Sequence, residues 1–223
     1  MGESRLAIIR VMTLSDQDNS DFSDWLEKQF PFLAIQSFAI ADQPDGVHDM
    51  SSFRRAQPKV VRMIQQLSSK DFQGFFVNCA EDPGVEDARR KTSVPVWGAG
   101  STAACIARST GLPIGVISLT KEIPPVIAHI LDTQLVYSAV PTGVSTALDL
   151  SAAADGIVDA AHTCVLQGAR AILLACTGMS LLGTADHLRE NLAIPIIDPL
   201  LAPLAAIEQV FKTFPVYPAI GSE

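Results

Sequence analysis

The sequence predicts an α/β protein of two pseudo-symmetric lobes, each a four-stranded parallel sheet flanked by helices, with an active site in the cleft between them. Three observations carry that prediction. Short apolar runs alternate with helix-period segments along the whole chain, the pattern of βα units and parallel sheets. The runs are nearly continuous in Ile, Val, Leu and Phe, as in strands covered by helices on both faces. A pattern of apolar run, cysteine, loop, helix, proline and second run also occurs twice. Phe75-Phe76-Val77-Asn78-Cys79 leads to Val94-Pro95-Val96-Trp97-Gly98, and Ile172-Leu173-Leu174-Ala175-Cys176 leads to Ile194-Pro195-Ile196-Ile197-Asp198. The two cysteines stand 97 positions apart, and Pro44-Asp45-Gly46-Val47 recurs at the same offset as Pro141-Thr142-Gly143-Val144.

Taken in order, the first lobe opens with a strand over 5–11, whose apolar run reads as a strand and not as a signal peptide because no small-residue cleavage site follows it. A helix over 20–28 leads to a strand over 33–40. Pro58, placed at a first helical position, starts a helix over 58–68, and the strand over 74–79 ends on Cys79. Asp82 offers a cap and Pro83 a first helical residue for a helix over 83–91, before the short strand over 94–97. The lobe boundary falls at 98–102, giving a first lobe of 1–100 and a second of 101–199. The second lobe repeats the count with strands over 113–119, 134–140, 171–176 and 195–197 and helices over 101–109, 124–131, 152–167 and 185–191, Pro124 starting the second of these. A last helix over 200–214 belongs to a segment, 200–223, expected to pack back on the first lobe.

Composition narrows the function. Hydrophobic residues make up 48% and charged residues 18% of the 223, which excludes disorder and supplies ample core. A net charge of -8 with no basic block beyond Arg89-Arg90-Lys91 lacks the footprint of a nucleic acid or anionic membrane partner. No apolar stretch reaches the roughly 20 residues that cross a bilayer. Four cysteines without close pairs do not form a secreted disulfide framework, so a reducing cytoplasm is the expected location. Without a Cys-x-x-Cys or a closely spaced histidine pair there is no zinc signature.

Cys79 and Cys176 both sit at the carboxyl ends of predicted parallel strands, where open α/β sheets bind ligands. A duplicated half places equivalent residues on opposite sides of a pseudo-two-fold axis, so two thiols could face one carbon from opposite sides. Inverting a carbon acid needs a base on one face and an acid on the other, and a thiolate and a thiol supply both. The developing enolate would be held by backbone amides after each cysteine. Cys105 and Cys164 lie inside helical patterns and are expected to pack in the core. Glu81 and Asp82 could assist proton transfer, although capping accounts for Asp82. His187 could tune Cys176 or be solvated. Gly98-Ala99-Gly100-Ser101-Thr102 lacks the lysine of a phosphate loop and is read as a substrate-lining turn.

Together, Asn78-Cys79-Ala80-Glu81-Asp82-Pro83-Gly84, Val94 to Gly100, Ala175-Cys176-Thr177-Gly178-Met179 and Ile194 to Asp198 resemble the aspartate/glutamate/hydantoin racemase superfamily, and within it the hydantoin racemase branch. The resemblance implies cofactor-independent two-base catalysis by Cys79 and Cys176 in an interlobe site, and a homo-oligomer. It also implies a small-molecule substrate, a 5-substituted hydantoin or related cyclic ureide. Asn78, Ala80, Thr13, Ser101, Thr120, Thr177 and Gly178 fall in segments matching substrate-binding loops of the family. Arg10 is the cation nearest them, able to hold a carboxylate or simply to end its strand. The first loop departs from the branch: Ile9-Arg10-Val11-Met12-Thr13-Leu14 stands where Asn-Pro-Asn-Thr is usual. Three alternatives stay open: an amino acid racemase of the aspartate/glutamate type, an enediolate-forming isomerase or decarboxylase, and a two-lobed small-molecule binding protein.

Overall fold

The structure, a computed structural model, describes residues 4–213. These divide into two compact units: one runs to Gly98 and resumes at Leu204, and the other is Ala99–Pro203. The first unit holds β1 (Ser4–Arg10), α1 (Asp16–Gln29), β2 (Leu33–Ala39), α2 (Met50–Leu67), β3 (Gly74–Asn78), α3 (Val85–Arg89) and β4 (Val96–Gly98). Its strands are all parallel, in the order β2-β1-β3-β4. The chain therefore reverses its direction of travel across the sheet between β1 and β3. The second unit holds α4 (Ala99–Ser109), β5 (Ile114–Ile117), α5 (Pro125–Leu131), β6 (Leu135–Ala139), α6 (Ala154–Leu166), β7 (Ala171–Leu174), α7 (Gly178–Leu181), α8 (Thr184–Asn191) and β8 (Ile196–Ile197). Its parallel order is β6-β5-β7-β8, with the reversal between β5 and β7. The last helix, α9 (Leu201–Thr213), begins in the second unit and ends in the first.

All eight expected strands form; seven bury part or all of a short apolar run, whereas the edge strand β6 is largely exposed, with Val136 and Tyr137 open to solvent. On one face of the first sheet, Ala7, Ile9, Phe75 and Val77 pack with Ala56, Val60 and Ile64 of α2. On the other, Ser23 of α1 donates to Ser37 of β2, the register partner of Ile8. Successive strand residues face opposite ways, so α1 and α2 cover opposite faces of the sheet. In the second unit, Ile117, Ile172 and Leu174 pack with Ile157, Ala160, Ala161 and Cys164 of α6. A side chain at Gly115 would strike Cβ and Sγ of Cys164, so the glycine lets α6 approach β5. The fully buried Cys164 is thus core, as expected, and burial pushes its thiol up to about 11. Cys105 is exposed, contrary to expectation, because its position on α4 turns away from the buried stripe of Ala99, Gly100, Ala103, Ala104 and Ala107.

Helix starts are where the local reading fails. The second helix begins at Met50 and not at Pro58: Asp49 and Ser52 form a reciprocal capping box, and Pro58 lies in the helix interior on an exposed position. An interior proline costs a helix about 3 kcal/mol, which the burial of Ala56, Val60, Ile64 and Leu67 on the opposite side offsets. The third helix starts at Val85 with Gly84 at its cap in the left-handed region (φ 75°), so Asp82 is not the cap. Pro124 stands one place before the helix, whose first residue is Pro125. The 3-10 segment Ala147–Ala152 and the short α7 carry no strong apolar period and escape the sequence reading. Of the segment 200–223, residues 214–223 lie outside those described. Within α9, Phe211 meets Trp97 edge to face with ring centroids 5.6 Å apart, and the Glu208 carboxylate accepts from the Phe32 amide.

Candidate functional site

Each cysteine follows a central strand of its sheet, beside the strand pair where the topology reverses. Cys79 comes directly after β3 and Cys176 two residues after β7. Loops diverge at such points and leave a crevice at the strand carboxyl ends, so both positions are those where parallel sheets bind ligands. Both thiols are buried, Cys79 to 7% and Cys176 to 9% exposure, and both are reduced. The chain turns in the same way after each: Asp82 N–H donates to Cys79 O (3.1 Å) and Met179 N–H donates to Cys176 O (3.1 Å).

Around Cys176 the second unit builds a closed sulfur site. The backbone amides of Gly178 and Met179 donate to the sulfur, which favours the thiolate, but burial outweighs them and pushes the thiol up to about 11. At neutral pH Cys176 is therefore a thiol with two donors already aimed at the charge it would carry. The lack of a side chain at Gly178 matters here: a methyl group on it would lie 3.1 Å from Leu150 Cδ1, 3.4 Å from Cys176 Sγ and 3.6 Å from Ala147 Cβ. Leu150 and Ala147 thus pack against Gly178, beside the sulfur. Both belong to the 3-10 segment Ala147–Ala152, held by a capping box in which Thr146 and Asp149 bind each other's backbone amides. These residues were missed at the sequence level. The recurrence of Pro44 to Val47 as Pro141 to Val144 could have found them, since the box starting at Asp49 recurs 97 positions on at Thr146.

The turn after Cys79 is closed by the same bond but carries two carboxyl groups, Glu81 and Asp82. Asp82 sits in the left-handed region (φ 52°), and its carboxylate packs so closely over Gly98 that a Cβ on that glycine would overlap it. The pair joins the cysteine turn to the end of β4. Glu81 is half-buried beside it; burial first, and the Asp82 carboxylate second, push its carboxyl up to about 7. Such a group exchanges a proton near neutrality, the property expected of a general acid or base.

The remaining candidates divide between the units. In the first, Asn78 ends β3 and Ala80 is buried in the cysteine turn. Thr13 lies in the loop after β1, where its hydroxyl accepts from Gln43 N–H (2.7 Å) while its own N–H donates to Gln43 O (3.0 Å). The buried Gln43 side chain donates in turn to the carbonyls of Gly46 and Ser52, so Gln43 links the loop after β1 to the start of α2. Arg10 turns toward α1: its guanidinium lies 4.3 Å from the centre of the Phe22 ring and donates to Asp18 O. In the second unit, Ser101 is in the first turn of α4, and Thr120 follows β5 with its hydroxyl donating to Glu122 O (2.7 Å). Thr177 precedes α7 and Gly178 opens it. His187 lies on α8. Among the described residues no group of three or more His, Cys, Asp or Glu could hold a metal ion, and no helix is long and apolar enough to cross a membrane.

Comparison with known proteins matches this architecture. The model of the family described as Asp/Glu/Hydantoin racemase fits residues 26–207. A hydantoin racemase of Pseudomonas sp. (strain NS671) is 26% identical over 161 residues, 69% of this chain and 64% of its own length. The aligned part of this chain thus spans less than two thirds of that relative. A hydantoin racemase of Rhizobium meliloti is 25% identical over 178 residues, covering 75% of this chain and 72% of that protein. Among solved structures, an allantoin racemase from Klebsiella pneumoniae superposes with a TM-score of 0.80 over 96% of this chain and 89% of its own, at 18% identity. Glutamate racemase RacE1 from Bacillus anthracis gives 0.66 over 96% and 84%, at 16% identity. At these identities the superpositions establish the fold.

Proposed function

Because the chain belongs to the Asp/Glu/hydantoin racemase family, we propose that it is a cofactor-independent racemase in which Cys79 and Cys176 are the two proton-transfer groups. Its substrate is a carbon acid next to a carbonyl, a 5-substituted hydantoin or related cyclic ureide. The observation that carries this reading is the duplication: each unit places a buried, reduced cysteine after a central strand, beside its own topological reversal. Either thiol alone would read as core. Two in equivalent places, each followed by the same amide-to-carbonyl turn, read as a base and an acid.

The steps follow from the local chemistry. Thiolate at Cys79 takes the proton from the substrate carbon, leaving an enolate or its aza equivalent. Cys176, a thiol at neutral pH, returns a proton to the opposite face and becomes a thiolate held by the amides of Gly178 and Met179. Reversal of the roles converts the other enantiomer. Arg10 is already engaged with α1, which argues against its holding a substrate carboxylate and so favours a neutral ring over an amino acid carrying two carboxylates.

The test is optical-rotation decay of L- and D-5-substituted hydantoins, allantoin, aspartate and glutamate in deuterated buffer. Racemisation of a cyclic ureide with deuterium at the inverted carbon is the expected result. Activity on aspartate or glutamate alone would keep the chemistry and replace the substrate, and exchange on none of them would remove the racemase reading.

A further inference from the structure

Asp198 is a carboxylate buried to 4% exposure, and among the described residues it is in no ion pair. Burying such a charge is costly unless donors surround it. Its Oδ1 accepts three hydrogen bonds, from the Ser180 hydroxyl (2.7 Å), from Leu200 N–H (2.8 Å) and from Leu201 N–H (2.7 Å). The two amides stand at the start of α9, and capping them asks for no burial, since the exposed Ser15 and Asp49 cap α1 and α2. The buried Ser180 hydroxyl is the partner that capping leaves unexplained.

Ser180 lies on α7, the single turn whose Gly178 and Met179 amides meet the Cys176 sulfur. Four residues are too few to hold a helical turn by themselves. Leu181 and Leu182 at its far end are exposed, and Met179 is fully buried in the core of its unit, an anchor without direction. The bond between Ser180 and Asp198 supplies direction, because it ties the turn to the residue that follows β8, the edge strand paired with β7. The first unit has the same joint with its ends exchanged. Phe75 pairs with Val96 and Ile172 with Ile196, so Gly98 and Asp198 hold equivalent places at the ends of the two edge strands. In the first unit the carboxylate belongs to the turn, as Asp82, and closes over Gly98. In the second it belongs to the strand end, and the turn offers a hydroxyl. A joint built twice from different residues, each time between the turn after the cysteine and the end of the edge strand, marks the cysteine turn as what is held.

We infer that Ser180 and Asp198 are positioning residues for Cys176: the carboxylate holds, through the hydroxyl, the turn whose amides receive the thiolate, a role that for its effect on turnover rests on the two-cysteine reading. Deuterium wash-in from single enantiomers, in backgrounds that keep one of the two thiols each, decides it. With Cys79→Ser, where Cys176 survives, adding Ser180→Ala lowers exchange by about tenfold or more, and Ser180→Thr, which keeps the hydroxyl, stays within about threefold of the background. With Cys176→Ser, Ser180→Ala leaves exchange by Cys79 within about twofold. Equal slowing in both backgrounds shows a loss of fold and not of aim, and overturns the inference; so does no slowing with Cys79→Ser. If circular dichroism shows Ser180→Ala unfolded, Asp198→Asn, which keeps an acceptor and loses the charge, decides in its place, with a loss of about threefold confined to the Cys79→Ser background. A second readout needs no substrate. In protein carrying a carbon-13 label at every cysteine Cβ, the signal of Cys176, identified by its disappearance in Cys176→Ser, follows the step from thiol to thiolate. Ser180→Ala raises the midpoint of that step by about half a unit or more and leaves Cys79 unmoved. A wild type that exchanges none of the substrates removes the racemase reading, and the Cβ titration then judges the positioning role alone: an unmoved Cys176 midpoint overturns it.

Discussion

Arg89 and Arg189 make the same contacts in their two units. Arg89 on α3 donates to Val96 O of β4 and pairs with Glu86; Arg189 on α8 donates to Ile196 O of β8 and pairs with Asp186. Each helix is entered through a left-handed glycine, Gly84 or Gly183, without a side-chain cap. β3 and β7 each donate to the carbonyl of the proline that leads into the neighbouring edge strand, Phe75 N–H to Pro95 O and Ile172 N–H to Pro195 O. The scaffold that presents the two cysteines is therefore the same scaffold twice. What surrounds the sulfurs is not. Cys79 is followed by two carboxyl groups, Glu81 and Asp82, and Cys176 by Thr177 and Gly178, with Leu150 and Ala147 packed on the glycine. The comparison teaches that the two units repeat the backbone around two cysteines while the side chains that follow each cysteine differ.

The largest effect expected from breaking this pairing is on proton transfer. Cys79→Ser and Cys176→Ser should each lower racemisation by about 10²- to 10⁴-fold, the range for loss of a general acid or base. Deuterium wash-in measured separately from each pure enantiomer should then split the two: each variant retains exchange, without inversion, for the enantiomer whose proton faces the surviving thiol. Equal loss for both enantiomers in both variants would show that the cysteines do not act on separate faces.

Two glycines sharpen the contrast in packing. Gly98→Ala forces a methyl group into the Asp82 carboxylate and should destabilise the fold by about 2 kcal/mol or more, whereas Gly178→Ala meets Leu150 and Sγ only at 3.1 and 3.4 Å and should cost under about 1 kcal/mol. Chemical denaturation of both variants checks the order. Gly178→Ala should nonetheless slow turnover, because the added methyl group crowds the sulfur; unchanged turnover would mean that side of Cys176 is not used.

The repeated arginines should behave alike. Arg89→Ala and Arg189→Ala each remove a charged donor to a strand carbonyl, and each should cost about 1–2 kcal/mol in thermal or urea unfolding. A difference between them of more than about 1 kcal/mol would show that the two scaffolds are alike in geometry and unlike in strain.

The smallest effect is a matter of pH. Glu81 has a folded value of about 7 against 4.5 for the free group, so the folded state holds its proton more tightly than the unfolded chain. Its contribution to stability is therefore lost as pH rises from about 4.5 to about 7 and is constant above that. Glu81→Gln should flatten this slope and be more stable than the wild type at pH 8, by about 1 kcal/mol after allowance for solvent screening of a half-buried group. Unfolding curves at pH 5 and pH 8 measure it. A variant equally stabilised at both values would trace its gain to something other than this titration.

How much of this was legible beforehand depends on the range of the interaction. Every strand was, because a short apolar run between turn residues is a local signal; so was the place of each cysteine after its strand, because a repeat displays it twice. The start of α2 was not, since Pro58 is a strong local marker that a capping box nine residues earlier and a buried stripe together override. Asp82 was read as a cap because Asp-Pro is a common helix entry, but the chain enters at Gly84 and leaves Asp82 to close over Gly98, a residue 16 positions away. By itself, then, the sequence determined the α/β class, the duplicated plan and the place of each cysteine after its strand, all of which follow from hydrophobic period and repetition. Only the tertiary structure decided what each sulfur feels. Leu150 and Ala147 pack on Gly178, whose amide with that of Met179 meets the Cys176 sulfur, and Glu81 loses its water beside Asp82. Desolvation and hydrogen bonding depend on those neighbours in space, and no run of residues along the chain encodes them.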